Sequence, residues 1–179
     1  MTDQPIVGGQ IHDDHPFATP SELRDPVRQF RGRMPAPVTI VTAGDGADRT
    51  GLTVSSLVVA EGAPGLAYCL LGPTTDLLDV IERTGRFVIH VCTTAHRPIA
   101  DVFAGIRPSP GGLFHGLDVE HTPHGPRLPG FTTVASCTYL MGREESYSTL
   151  VVARIDTVEA GALDDPLLYY RGAYRRLGD

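Results

Sequence analysis

The sequence predicts a mainly β fold with short helices, organised as a closed or nearly closed antiparallel barrel. Three observations predict it: β-branched apolar runs recur along the chain, turn signals separate them, and no regular β-α-β alternation exists. The 179 residues suit one domain with a real core. Residues 1–20 hold Pro5, Gly8-Gly9, Pro16 and Pro20 with little periodicity, so they read as an extended N-terminal arm and leave 21–179 as the folded domain.

Each element has a local reason. Asp25-Pro26 starts a helix as N-cap and first helical residue, Val27 and Phe30 follow at helical spacing, and Gly32 ends it. Val38–Thr42 is β-branched and stops at Gly44-Asp45-Gly46, a turn signal. Leu52–Ala60 and Leu66–Leu71 are the next strands. Thr75 or Asp76 caps a helix over Leu77–Arg83 closed by Gly85; Thr94 caps another through Phe103, closed by Gly105. Between them Phe87–Val91 is a buried strand. Residues 106–130, rich in Gly, Pro and His, read as a long surface excursion. Long strands return at Thr132–Met141 and Thr149–Val158, and the tail Leu167–Leu177 is extended.

Composition excludes several function classes. A net charge of -6 gives no basic field for nucleic acid or an anionic membrane surface. No apolar run approaches the roughly 20 residues that span a bilayer. The polar, acidic N-terminus lacks the features of a signal peptide, so a cytoplasmic protein is expected. All fifteen basic residues are arginines, which removes Schiff-base chemistry and the P-loop lysine together. Cys69, Cys92 and Cys137 are widely spaced within apolar runs and read as buried free thiols.

Two hydroxyl clusters carry the ligand reading. Gly51-Leu52-Thr53-Val54-Ser55-Ser56 interrupts a strand with three hydroxyls, and buried hydroxyls need partners. In Leu71-Gly72-Pro73-Thr74-Thr75-Asp76 two threonines stand where a loop enters a helix, whose free amides hold anions. Together they offer hydrogen bonds to a polar ring system and a cradle for a phosphate; the bland alternative is ordinary strand ends and caps. His12 and His15 lie in the arm, and His115, His121 and His124 have no tight zinc spacing, so no metal is expected. His90, between Ile89 and Val91, is a satisfied core histidine or a ligand contact. No G-x-S-x-G exists, Gly44-x-Gly46 is an incomplete dinucleotide fingerprint, and Glu144-Glu145 reads as a solvated turn.

The collinear series Pro37–Thr42, Gly51–Ser56, Phe87–Val91, Phe103-Ala104-Gly105, Gly125-Pro126-Arg127-Leu128, Cys137 and Pro166–Tyr170 resembles the flavin reductase family, over about residues 25–177. The resemblance implies the FMN-binding split-barrel fold, a homodimer, and hydride transfer from NADH or NADPH to FMN, with FAD as the alternative flavin. It implies that Thr53, Val54, Ser55, Ser56 and Leu71 line the ring and ribityl chain, that Thr74 and Thr75 take the phosphate, and that Phe103 lies close by. A monooxygenase partner using the reduced flavin is what such families often have. Two departures stand out: Ser146-Tyr147-Ser148 replaces a family Gly-Asp-His associated with nicotinamide binding, leaving Tyr147 and Ser148 at the substrate position, and His90 replaces a frequent asparagine. The departures keep two other readings open: a flavin carrier or sensor without dinucleotide turnover, and an oxidoreductase of this fold with another substrate or cofactor.

Overall fold

The computed structural model describes residues 25–178. The expected arm over residues 1–20, with His12 and His15, lies outside the described residues. The chain runs α1 (Pro26–Gly32), β1 (Ala36–Pro37), β2 (Thr39–Ala43), β3 (Thr50–Val54), β4 (Val58–Ala60) and β5 (Leu66–Leu71). Then come α2 (Asp76–Thr84), β6 (Arg86–Val91), α3 (Arg97–Phe103), β7 (Glu120–Thr122) and β8 (Gly125–Arg127). The chain closes with β9 (Thr133–Glu145), β10 (Ser148–Ala160), β11 (Leu168–Tyr170) and β12 (Ala173–Arg175). The protein is thus mainly β with three short α-helices among the described residues.

Seven strands form one sheet in the order β3-β2-β6-β9-β10-β5-β4, every pairing antiparallel. Its two edges, β3 and β4, are consecutive in the chain and joined by only Ser55, Ser56 and Leu57. In a flat sheet the edges would stand about 29 Å apart. That linker reaches about 14 Å. The sheet must therefore curl until its edges approach, although no ladder joins β3 to β4. This corrects the expected single strand over Leu52–Ala60, which breaks where the chain crosses from one edge to the other.

The curl separates two cores. Val41, Leu71, Leu77, Ile81, Phe87 and Val151 pack between the sheet and α2. Val38, Ile40, Val88, Phe103, Phe114 and Leu128 form the second core, on the other face of β2 and β6. Central strands buried on both faces explain why these two read as continuous apolar runs. The second core also corrects the surface excursion: Phe114 and Leu128 are buried, because without them one face of β2 and β6 would meet water.

Thr75 caps α2 and Gly85 closes it at φ 71°, as the sequence requires. Asp25 caps α1 through the Val27 amide at 2.7 Å. Thr93, rather than Thr94, is the cap that leads into α3. β9 and β10 run longer than expected and meet at the two-residue turn Ser146-Tyr147, so Glu144 and Glu145 end a strand instead of forming a turn. The tail is a short hairpin, β11 with β12, which carries β1 on its edge.

Candidate functional site

The hydroxyl-bearing segments meet at one end of the curled sheet. The Ser56 Oγ donates to the Leu70 carbonyl at 2.8 Å and accepts from the Leu70 amide at 3.2 Å, fastening the β3–β4 crossing to β5. Leu71, the last residue of β5, stands opposite Thr149 at the start of β10. The β9–β10 turn therefore lies beside the Gly72–Thr75 loop and the start of α2. Thr75 Oγ1 donates to the Gly72 carbonyl at 2.9 Å while accepting from the Leu78 amide, which builds a tight entry into the helix. The Asp76 and Leu77 amides, in the first turn of α2, have no carbonyl partner within the helix.

The structure sorts the expected contacts into two groups. Thr53 Oγ1 donates to the Ala100 carbonyl of α3 at 2.7 Å, so Thr53, Ser56 and Thr75 spend their hydroxyls on the scaffold. Ser55, Thr74 and Ser148 make no side-chain hydrogen bond among the described residues. Val54 and Leu71 are core residues between sheet and α2. Phe103 is buried in the second core, edge-on to Phe114 with ring centroids 5.3 Å apart. Tyr147, at the turn, is 93% exposed.

His90 is the satisfied core histidine. Its Nδ1–H donates to the Ile40 carbonyl and its Nε2 accepts from the Leu128 amide, both at 3.0 Å. Burial drives its pKa down to about 4, with Arg127 and His96 opposing charge further against the Ile40 bond. It is neutral and holds the 125–128 segment on the sheet. Cys69, Cys92 and Cys137 are free and buried, and burial pushes each thiol up to about 12, so none is a nucleophile. No group of His, Cys, Asp and Glu among the described residues is arranged to hold a metal. No sequence pattern pointed to Arg49 and Phe114, which wall a concavity beside α2. Arg49 lies between the expected turn at Gly44-Asp45-Gly46 and the strand expected from Leu52, and Phe114 lies in the expected surface excursion.

Fold and site define a class first: a curled antiparallel β protein with free hydroxyls and a helix N-terminus gathered at one end of its sheet. A family model described as the flavin reductase like domain matches residues 31–178, and the chain belongs to that family. It is 31% identical to the NADH-dependent FMN reductase AsuE2 of Streptomyces nodosus subsp. asukaensis, over 87% of this chain and 86% of that protein. It is 25% identical to the 4-hydroxyphenylacetate 3-monooxygenase reductase component of Thermus thermophilus, over 87% and 97%. The fold is shared with the NADH:FAD oxidoreductase SgcE6 of Streptomyces globisporus C-1027, at a TM-score of 0.78 and 23% identity, covering 90% of this chain and 100% of that one. Among the described residues no helix is long and apolar enough to cross a membrane.

Proposed function

We propose that the protein is an NADH- or NADPH-dependent flavin reductase that delivers reduced flavin to a monooxygenase. The observation that carries this reading is the convergence of Ser55, Thr74 and Ser148 with the start of α2 in a chain of the flavin reductase family. AsuE2 is named for NADH and FMN, and the Thermus relative for its place beside a monooxygenase. The donor set fits a flavin: hydroxyls and amides suit its ring and ribityl chain, and a helix start suits its phosphate. When bound, the flavin supplies the hydride-accepting ring.

The chain's own residues do the holding. Ser55 donates to a polar edge of the ring, Thr74 and the first amides of α2 bind the phosphate, and Ser148 with Tyr147 faces the nicotinamide. Thr53, Ser56 and Thr75 fix the loops through their scaffold bonds, and Val54 and Leu71 set the floor behind them. Phe103 acts at one remove, by packing against the strand that carries Thr53. No side chain with acid, base or nucleophile geometry is needed, since amides and hydroxyls stabilise the charge that grows on reduction.

The curled sheet with β3 and β4 approaching supports the split-barrel architecture. A homodimer is supported by an uncovered apolar row, Val58-Tyr68-Val152-Met141, which crosses four strands of the sheet. The unpaired thiols agree with a cytoplasmic site of action.

Titration with FMN, followed by anaerobic stopped-flow mixing with NADH and NADPH, tests the reading. We expect a bound flavin band that bleaches with one donor at a catalytic rate. A second reading, a flavin carrier without dinucleotide turnover, is favoured by Ser146-Tyr147-Ser148 alone. A bound flavin indifferent to both donors selects it. Ser148→His should then raise NAD(P)H oxidation; an unchanged rate places that turn away from the nicotinamide.

A further inference from the structure

A groove of about 530 Å3 runs beside α2, walled by the Gly46–Asp48 turn and the loop over residues 111–115. It begins at Asp76, the residue after Thr75, and follows α2 past Val80 to Arg83. Its Asp76 end stands one residue along the chain from Thr75, the cap of α2. The seven helical steps from Asp76 to Arg83 extend about 10 Å, room for a nucleoside laid along them.

The groove is lined by two acidic and two basic side chains. Arg49 and Arg83 stand with Asp48 and Asp76, and Arg83 Nη1 donates to Asp48 Oδ2 at 3.0 Å. A free anion gains little there. A neutral base on a hydroxylated sugar gains more. The Arg49 guanidinium lies 4.9 Å from the centroid of the Phe114 ring, which is buried behind it. A guanidinium placed over an aromatic ring has a second face, and guanidinium faces stack on heteroaromatic rings. Asp76 supplies a carboxylate of the kind that accepts hydrogen bonds from ribose hydroxyls. The far wall has no side chains at Gly111 and Gly112, whose φ values of 94° and 96° exclude most other residues.

We propose that this groove takes the adenosine half of FAD, so that the protein selects FAD over FMN; the inference rests on the flavin reading above. The adenine stacks on Arg49, the ribose bonds to Asp76, and the pyrophosphate leads back to Thr74 and the start of α2.

Fluorescence-quenching titrations of the full-length protein with FAD and with FMN, and with 5′-AMP as competitor, test it. We expect FAD to bind about ten-fold tighter than FMN, a difference of about 1.4 kcal/mol, and 5′-AMP to displace FAD but not FMN. Arg49→Ala removes the stacking plane, and Ala47→Trp fills the groove from an exposed position. Each should bring FAD down to the FMN affinity, with the Kd for FMN as internal control. Equal affinities for the two flavins in the wild type, or an Ala47→Trp protein that keeps the FAD advantage, would overturn the adenosine site and leave the flavin reading standing. A wild type that binds neither flavin removes both.

Discussion

Ser146 holds φ at 56° in the turn between β9 and β10, a left-handed conformation in which a Cβ is crowded. Glycine adopts it without that cost, so Ser146→Gly should stabilise the fold by about 1 kcal/mol, read as a higher urea midpoint at unchanged m-value. His90 shows the opposite case, a residue whose every polar atom is used. Because burial and the nearby Arg127 and His96 depress its pKa from 6.5 to about 4, the unfolded chain takes up its proton first as pH falls. The His90 contribution is whole above pH 6.5 and is lost between there and pH 4, about 3 kcal/mol in all. Urea unfolding at a series of pH values should show that slope. A His90→Gln variant, which does not titrate there, should be less stable at pH 7 and lack this component. A wild type equally stable at pH 7 and pH 4.5 would refute the assignment.

Elements were legible wherever a residue's local chemistry decides the outcome. Asp25-Pro26 and Thr75 mark helix starts, Gly85 a helix end, and the β-branched run at Val38–Thr42 a strand, and all stand in the structure. What local chemistry could not disclose is the break at Ser55–Leu57, which follows from the edges of a seven-stranded sheet having to meet. Likewise, the burial of Phe114 and Leu128 depends on the exposed back of β2 and β6, a tertiary demand invisible in a Gly- and Pro-rich stretch. The site divides along the same line. Both hydroxyl clusters were visible, but which hydroxyls are spent on the scaffold depends on contacts such as Thr53 with Ala100, 47 residues away. Gly51 is a further example: a Cβ there would lie 2.6 Å from the Phe103 ring and 3.0 Å from the Val41 carbonyl. Gly51→Ala should therefore push β3 off α3 and cost about 1–3 kcal/mol. A thermal melt matching wild type would show that α3 packs less closely than described.

At the scale of the whole molecule, the curl that brings β3 toward β4 also turns one face of β4, β5, β10 and β9 outward. Strict register lines up Val58 with Tyr68, Tyr68 with Val152, and Val152 with Met141, while Leu70 and Leu150 form a second row beside it. Val58 and Met141 are 64% and 49% exposed, and nothing among the described residues covers them. An apolar sheet face of this kind favours association with a like face, and two-fold pairing closes it without leaving an edge. The double variant Val58→Arg/Met141→Arg places four guanidinium groups in the paired interface, where each must give up water. Light scattering after size exclusion should then report a dimer for the wild type and a monomer for the variant. Because both positions are exposed, the variant's far-UV circular dichroism should match wild type. A wild type that elutes as a monomer at micromolar concentration would show that this face is left bare, and the two-fold pairing would have to be abandoned.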